Sequence, residues 1–285
     1  MHFLLFSNVN KDPDQEVTGR LAKIIEAKGS TSYIVMEGDE ASEEPLPAEI
    51  LFRVDIVIVL GGDGTLLRAS HAIGESKIPM IGVNLGTTGF LTEVETSAME
   101  EMVDSLLAGK YTIERRMRLA GAIHRKASGA GQIEKFSALN DIVVIREGVL
   151  RLISIRIYVN GVFFDTYEAD GVILATPTGS TGYNLSAGGP IVSPQARLMV
   201  MTPVSPHSLS KKSIVFDAKD EIRIVLTEKR KTQKNEAIVS FDGYMNYEIA
   251  VEDEVEIHAS DVPLHLIRLK KYCFYDVLSR KLGPR

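Results

Sequence analysis

The sharpest chemical signal in the sequence is a glycine-rich segment with one carboxylate, Gly-Gly-Asp-Gly-Thr at residues 61–65. It directly follows an apolar run that ends at Leu60 and precedes residues with helical spacing. Glycines let backbone N–H groups approach phosphate oxygens, and the positive end of a helix dipole favours negative charge. Asp63 would repel phosphate unless a divalent cation lies nearby or the carboxylate hydrogen-bonds a ligand hydroxyl. The segment therefore predicts an anion site suited to phosphoryl transfer to an alcohol.

A second polar segment, DGVILATPTGSTGYNLSAGGP at residues 170–190, begins with an apolar run typical of a strand. The turn that follows contains hydroxyls, an amide, glycines and the ring of Tyr183. Such a set can hydrogen-bond a base edge and a ribose while the ring packs on a ligand. A shorter pair, Asn140-Asp141, precedes the apolar run 142–145. Taken alone, each of these segments is typical of an ordinary polar turn.

The composition argues against several classes of function. The chain of 285 residues has 32 Lys and Arg against 38 Asp and Glu, a formal net charge of −6, which argues against broad binding to nucleic acid. It contains neither GxxxxGKS/T nor GxGxxG, so the P-loop and the standard dinucleotide fingerprint are excluded. Its single cysteine, Cys273, cannot form an internal disulfide, which is typical of a reducing compartment. We expect this thiol to be a buried small hydrophobe.

The elements that must position these residues alternate between strand and helix over the first hundred residues. Asp12 and Pro13 have the types preferred at the N-cap and first position of a helix, which would close at Gly29. A capping box formed by Ser97 and Glu100 predicts the start of another helix. Strands are predicted at residues 3–6, 33–36, 56–60 and 79–83.

After about Arg118 the pattern changes to alternating apolar and polar residues, which is typical of antiparallel strands with one buried face. Two such runs, 153–159 and 162–167, flank Asn160-Gly161, and this arrangement predicts a hairpin with a type I′ turn. Helical spacing returns at residues 272–282, so we expect a closing helix that packs on the first domain.

These patterns predict an α/β N-terminal domain with a parallel sheet, followed by a mainly antiparallel, sandwich-like β domain. The first domain would comprise residues 1–117 completed by a returning C-terminal tail, 265–285, and the second would comprise residues 118–264. We expect the glycine-rich loop in the first domain, the polar turn in the second and the site in the cleft between them. The apolar runs are too short for a signal peptide or a membrane span, so we expect a cytoplasmic protein with no membrane partner.

Together the motifs resemble those of NAD kinases of the bacterial type. The resemblance joins GGDGT at residues 61–65, Asn-Asp at 140–141, the long block at 170–190 and PVSPHSLS at 203–210. It extends from about Phe3 to the end of the chain. GGDGT alone is shared with diacylglycerol kinases, sphingosine kinases and phosphofructokinases, whereas the long block containing TPTGST is not.

The resemblance implies a transferase that phosphorylates the 2′-hydroxyl of the adenosine ribose of NAD, using ATP or polyphosphate, to make NADP. The enzyme would thus be a kinase of NADP biosynthesis. Mg²⁺ or another divalent cation would accompany ATP and bridge the donor phosphates, so we name no metal-ligating residue. The resemblance also implies a homo-oligomer, either a dimer or a tetramer, assembled through the β domain.

By the same resemblance, Asp63 is the catalytic carboxylate that faces the 2′-hydroxyl. Asn140 and Asp141 match the pair that holds ribose, and Asp170 matches a contact at the nicotinamide end. Gly182 stands where Ala is usual, Asp141 stands where Glu is common, and Glu168 leaves the choice of donor open. The residues that match substrate- or nucleotide-binding positions are Gly62, Gly64, Arg68, Asn140, Asp141, Arg151, Asp170, Thr181, Gly182, Tyr183, Asn184, Ser186 and Ser205.

Two other functions stay open at this point. A lipid or sugar kinase could use the same glycine-rich loop, although the polar turn and the lack of an amphipathic basic helix argue against a membrane lipid as substrate. A non-catalytic sensor could bind NAD or NADP on the same scaffold. Asp63 argues for an enzyme, because a pure binding protein gains little from a carboxylate beside phosphate.

Overall fold

The computed structural model describes residues 1–38, 46–86, 89–126, 133–148, 152–208, 210–228, 237–270 and 273–282. Its helices are α1 (Glu16–Ala27), α2 (Ala48–Leu51), α3 (Asp63–Ala72), α4 (Met99–Leu107), α5 (Tyr183–Ser186) and α6 (Phe274–Leu282). Its strands are β1 (His2–Asn8), β2 (Thr31–Glu37), β3 (Ile56–Gly61), β4 (Met80–Asn84), β5 (Val94–Glu95), β6 (Thr112–Arg116), β7 (Leu119–His124), β8 (Ile133–Ala138), β9 (Asp141–Arg146), β10 (Ile153–Val159), β11 (Val162–Ala169), β12 (Gly171–Ala175), β13 (Leu198–Val204), β14 (Ile214–Asp217), β15 (Ile222–Thr227), β16 (Ala237–Phe241), β17 (Met245–Ile249), β18 (Glu254–Ala259) and β19 (Leu264–Arg268).

The first of two units, Met1–Arg116 with Val262–Arg285, contains a seven-stranded sheet in the order β2-β1-β3-β4-β19-β6, with β5 paired to β4. Strands β1 to β5 pair in parallel, as the buried apolar runs predict. Helices α1 and α4 pack apolar side chains such as Leu21 and Met102 on this sheet. Strand β19 inserts between β4 and β6, which confirms that the C-terminal part of the chain returns to the α/β unit.

The parallel register brings the ends of β1, β3 and β4 to one edge of this sheet. Ser7 of β1 pairs with Leu60 of β3, and Gly61 pairs with Asn84 of β4. Every residue of β3 is buried, as expected for a central strand covered on both faces. The segments that follow these three strands therefore leave the sheet side by side, at the edge where open α/β sheets bind ligands.

The second unit, Met117–Asp261, contains two six-stranded sheets. Their orders are β11-β10-β15-β18-β7-β8 and β14-β13-β12-β9-β16-β17, and the paired strands are antiparallel. One apolar core joins the inner faces of both sheets, with Ile155 and Ile224 from the first and Val144 and Leu174 from the second. This confirms the predicted sandwich.

The predicted hairpin is confirmed in the second unit. β10 and β11 are antiparallel neighbours, and both turn residues have positive φ, 51° at Asn160 and 78° at Gly161. Those angles are the ones that a type I′ turn requires, and Asn-Gly adopts them at low steric cost. In the part of the chain that the structure describes, no helix combines the length and apolar character needed to cross a membrane.

Two predicted helix starts and one burial prediction are wrong. α1 begins at Glu16, not after Asp12, yet the buried Asp12 carboxylate still accepts hydrogen bonds from the N–H groups of Val17 and Thr18. Burial opposes ionisation of Asp12, but a hydrogen bond from the Thr18 hydroxyl, together with those from the backbone N–H groups, prevails and lowers its pKa. α4 begins at Met99 behind a 3-10 turn and has no side-chain cap, so the predicted capping box does not form. Cys273 is exposed, one residue before α6.

Candidate active site

The glycine-rich loop forms the transition from β3 to α3, as its composition predicts. β3 ends at Gly61, Gly62 is extended with φ −125° and ψ −166°, and α3 begins at Asp63 without a side-chain cap. A side chain at residue 61 would overlap that of Thr65, since a Cβ built there lies 2.8 Å from its Cγ2. The first turn of an α-helix has N–H groups without an intrahelical acceptor, so this end of α3 can bind an anion.

The Asp63 carboxylate is held by the backbone of the segment that follows β4. Its Oδ2 accepts a hydrogen bond from the N–H of Phe90 at 2.7 Å, and its Oδ1 accepts one from Leu91 at 3.0 Å. Gly89 makes room for it, because a Cβ built on Gly89 would overlap the carboxylate and lie 2.7 Å from Oδ2. Each oxygen retains a second lone pair, so the oriented carboxylate can still accept a hydrogen bond from a ligand hydroxyl.

A buried polar network supports the loop from behind. Asn8, at the end of β1, donates from Nδ2 to Thr65 Oγ1 at 2.9 Å and to Glu37 Oε2 at 2.8 Å. Glu37, at the end of β2, also forms an ion pair with Arg68 on α3. Arg68 is thus held by a carboxylate and remains partly exposed, with 38% of its side chain accessible. Our sequence analysis missed Asn8 and Glu37, although both are polar residues at the carboxyl ends of strands.

The Asn140-Asp141 pair lies in the second unit, where β9 begins. The N–H groups of Leu139, Asn140 and Asp141 all donate to the carboxylate of Asp242, at 2.7, 2.7 and 3.1 Å. Asp242 itself has a positive φ of 54° in the turn between β16 and β17. Our sequence analysis missed this residue, for which the only signal was an Asp-Gly turn after alternating residues. Asp242 thus determines the backbone geometry of the predicted ribose-binding pair.

The carboxyl of Asp141 is buried, and only 5% of the residue is exposed. Burial, together with the negative charge of Asp242, raises the pKa of Asp141 from 3.8 to about 7. The protonated form of Asp141 can donate a hydrogen bond as well as accept one. A ligand hydroxyl at this position would therefore meet a group whose hydrogen-bonding role changes close to neutral pH.

Ionisation of Asp141 should lower the stability of the fold as the pH rises. Between pH 3.8 and about 7 the unfolded chain has lost this proton while the folded protein keeps it, so the free energy of unfolding falls across that window. Asn cannot ionise. Asp141→Asn should therefore have the melting temperature of the wild type near pH 3.8 and a higher melting temperature than the wild type above pH about 7. Thermal denaturation of both proteins as a function of pH measures this difference.

A control substitution at Asp165, in the same unit, should change stability with pH in the opposite direction. The hydrogen bond and charge of Lys211 lower the pKa of Asp165, so its carboxylate stabilises the fold once ionised. Asp165→Asn should therefore lose stability relative to the wild type as the pH rises from acid to neutral. A difference between Asp141→Asn and the wild type that does not change with pH would contradict the pKa assigned to Asp141.

The turn after β12 packs directly against Asn140. Thr176 donates from Oγ1 to the Leu139 carbonyl at 2.6 Å, and its N–H donates to the Asn140 carbonyl at 2.8 Å. A Cβ built on Gly179 would lie 2.7 Å from the Cα of Asn140, so only glycine permits this approach. A Cβ built on Gly182 would lie 3.3 Å from the Gly179 carbonyl oxygen and 3.6 Å from Asn140 Nδ2, so the alanine that is usual in the resembled family would require a shift of a few tenths of an ångström here. The structure thus brings two predicted segments together.

Asn184 is completely buried within this turn. Its Nδ2 donates to the carbonyls of Ser180 at 3.1 Å and Pro190 at 3.0 Å, and its Oδ1 accepts from Thr202 Oγ1 at 2.7 Å. The amide is therefore occupied in holding the turn. Tyr183 and Ser186 are exposed on either side of it, whereas Thr181 and Gly182 are half-buried.

Two further predicted residues lie at strand ends, Asp170 before β12 and Ser205 after β13. Asp170 precedes β12 and accepts from Arg146 Nε at 2.6 Å, so this predicted ligand contact is already paired with a cation. Ser205 is exposed and has a positive φ of 45°. Arg151 lies outside the described residues. Within the described ranges, no cluster of three or more His, Cys, Asp or Glu side chains could hold a metal.

Comparison with known proteins matches this chain to two family models over most of its length. The model for the ATP-NAD kinase N-terminal domain matches residues 2–111, and the model for the ATP-NAD kinase C-terminal domain matches residues 139–269. The first contains the glycine-rich loop, and the second contains Asn140-Asp141 and the turn after β12. The two matches therefore include all four segments on which the resemblance depends, since residues 203–210 also lie within the second.

Full-length relatives and solved structures agree with these matches. The NAD kinase of Lachnoclostridium phytofermentans is 39% identical to this chain, over 99% of both chains. The NAD kinase of Agathobacter rectalis is 41% identical, over 99% of this chain and 98% of its own length. The structure of yeast NADH kinase complexed with NADH matches with a TM-score of 0.85 and 25% identity, covering 99% of this chain and 87% of that one. The structure of an NAD kinase from Archaeoglobus fulgidus in complex with ATP shares the fold. It matches with a TM-score of 0.76 and 24% identity, covering 99% of this chain and 100% of that one. The chain belongs to the ATP-NAD kinase family.

Proposed function

We propose that the protein transfers a phosphoryl group from ATP to the 2′-hydroxyl of the adenosine ribose of NAD, which produces NADP. The observation that carries this proposal is the placement of Asp63. It is the first residue of an uncapped helix that follows a glycine loop, and the Phe90 and Leu91 N–H groups orient its carboxylate. Phosphate and hydroxyl can both be bound there, as phosphoryl transfer to an alcohol requires.

In the proposed reaction the 2′-hydroxyl oxygen attacks the terminal phosphorus of ATP, and the bond from that phosphorus to the ADP oxygen breaks. The hydroxyl proton passes to the Asp63 carboxylate. Because the transition state of phosphoryl transfer is loose, the proton leaves late and a weak base in the right position suffices. The two hydrogen bonds from the loop after β4 keep the Asp63 carboxylate in one orientation, so it can direct the hydroxyl toward the phosphorus.

We further propose that the second unit supplies the dinucleotide-binding residues. Asn140 and Asp141 would hold the ribose from a turn set by Asp242, which binds their N–H groups. Asn184 would act by shaping the turn, since its amide is satisfied inside it. The other binding positions that we propose are Gly62, Gly64, Arg68, Arg151, Asp170, Thr181, Gly182, Tyr183, Ser186 and Ser205.

A divalent cation, Mg²⁺ or a similar metal ion, would enter this reaction with ATP. Mg²⁺ in kinases is bound by one or two protein oxygens, substrate phosphates and water, and it does not need an all-protein cage. The residues fit that mode, because the phosphate loop carries one carboxylate, that of Asp63, at the start of an uncapped helix that can bind the phosphates. The cation would neutralise charge on the transferred phosphoryl group.

We also propose that the protein is a cytoplasmic homo-oligomer, either a dimer or a tetramer, assembled through the β unit. The support is the edge strand β11, which exposes three adjacent apolar side chains, Val162, Phe163 and Phe164. An exposed apolar edge strand is a ready surface for association with another chain.

A coupled enzyme assay tests the proposed function. The purified protein with NAD, ATP and Mg²⁺ should form NADP, detected by an NADP-specific dehydrogenase, and a parallel assay with polyphosphate measures the donor preference that Glu168 leaves open. Tight NADP binding without turnover would instead indicate a sensor. A protein with no affinity for NAD or NADP would contradict the proposal and favour a lipid or sugar kinase.

A further inference from the structure

Lys11 lies in the turn between β1 and α1, and its backbone is fixed by Asn8. The N–H of Lys11 donates to the backbone carbonyl of Asn8 and to its Oδ1, each at 3.1 Å, while the N–H of Asn10 donates to the same Oδ1 at 3.0 Å. Asn8 also contacts Thr65 behind the glycine loop through its Nδ2. One side chain thus ties the Lys11 turn to the loop that carries Asp63.

The side chain of Lys11 extends over the two glycine turns at the same edge of the sheet. A Cβ built on Gly62 would lie 3.1 Å from Lys11 Nζ, and one built on Gly86 would lie 3.5 Å from it. Gly62 follows β3 and directly precedes Asp63, and Gly86 follows β4. The Lys11 ammonium is therefore a close neighbour of the phosphate loop, and the glycines keep that space free of side chains.

The charges around Lys11 indicate that an anion belongs there. Lys11 is exposed, and among the described residues its ammonium has no ion-pair or hydrogen-bond partner. Arg68 on α3 differs, because its side chain forms an ion pair with Glu37. An ammonium near the positive end of α3 is unfavourable by itself, but an anion bound between the two would interact favourably with both.

We propose that Lys11 binds the phosphate chain of the phosphoryl donor at the Gly62 loop and positions the transferred group beside Asp63. This assignment rests on the proposed phosphoryl transfer. A lysine suits the role because its compact charge and three rotatable donors can follow a phosphoryl group whose oxygens move during the reaction. In this position the ammonium stabilises negative charge on the phosphate oxygens.

Steady-state kinetics of Lys11→Met test the proposal. We expect kcat/KM for ATP to fall about 10- to 100-fold at saturating NAD, the range for losing one hydrogen bond to a charged group. The KM for NAD at saturating ATP should stay within about twofold, and Lys11→Arg should recover part of the loss because it restores the charge. Lys23→Met removes another exposed lysine, on α1, and should leave every constant unchanged.

Titration of each protein with Mg²⁺-ADP, and separately with NAD, gives a readout that does not depend on turnover. Weaker binding of Mg²⁺-ADP by Lys11→Met, with unchanged thermal denaturation, would support the proposal even if the wild type failed to phosphorylate NAD. Unchanged affinity for Mg²⁺-ADP and unchanged kcat/KM for ATP would overturn it. So would a defect confined to NAD, since the lysine would then bind the dinucleotide. If Lys11→Met does not fold, Lys11→Gln replaces it in both measurements.

Discussion

Replacing Asp63 by asparagine is expected to reduce kcat for NAD phosphorylation by roughly 10²- to 10⁴-fold, the usual range for loss of a general base. Asparagine keeps the size of the side chain but cannot take the hydroxyl proton. It also places an NH₂ group against one of two backbone donors, since Phe90 and Leu91 each donate to a different carboxylate oxygen. The loop after β4 should therefore loosen slightly, which adds a small loss of positioning to the loss of the base.

The measurement is kcat at saturating NAD and ATP, together with thermal denaturation to show that the variant is folded. Asp104→Asn is a matched control, because this exposed carboxylate on α4 pairs with Lys28 at the surface of the same unit. It should leave kcat unchanged. Full turnover in folded Asp63→Asn would remove Asp63 from the catalytic role.

Replacing Gly89 by alanine is expected to reduce kcat by about 10²-fold, although residue 89 has no chemistry of its own. The new methyl group would overlap the Asp63 carboxylate, so the carboxylate or the loop must move. The backbone of Gly89 lies outside the left-handed region, so alanine can adopt it and the defect is steric. A displacement of about 1 Å at a reacting group can cost a factor of this size.

Gly19→Ala provides the matched control for this second substitution. A Cβ at Gly19 meets nothing within 4 Å, and the residue lies inside α1, where alanine is the better helix former by about 1 kcal/mol. This control should keep kcat and melt at the same or a higher temperature. Wild-type kcat in Gly89→Ala would show that the loop relaxes without moving Asp63.

A double variant tests whether Gly89 acts through Asp63. Substitutions that disable one functional group are strongly non-additive, so Asp63→Asn with Gly89→Ala should have nearly the kcat of Asp63→Asn alone. Multiplication of the two defects would instead indicate that the loop contributes to the reaction independently of the carboxylate. The losses in the free energy of unfolding should instead accumulate in the double variant, because each substitution removes its own packing or hydrogen-bonding contribution.

Several elements could be predicted from the sequence because their causes are local. The run at β3 is continuous and apolar, and each of its residues is buried. Asn160-Gly161 forms the expected turn because both residues tolerate positive φ. The helix starts were harder to predict: Asp12 binds N–H groups five and six residues ahead, at Val17 and Thr18, whereas an N-cap normally binds those two or three residues ahead.

The candidate site was predictable only in part, because the partners that orient its residues are distant in the sequence. The sequence by itself determined the family, the strand and helix on either side of the glycine loop, and the chemistry of the loop that carries Asp63, since these depend on residue types at short spacing. Only the tertiary structure decided which partners orient those residues. Gly89 and Phe90 lie more than twenty residues from Asp63, and Asp242 lies about a hundred residues from Asn140. Hydrogen bonds at such separations depend on strand register and chain return, so no local pattern in the sequence records them.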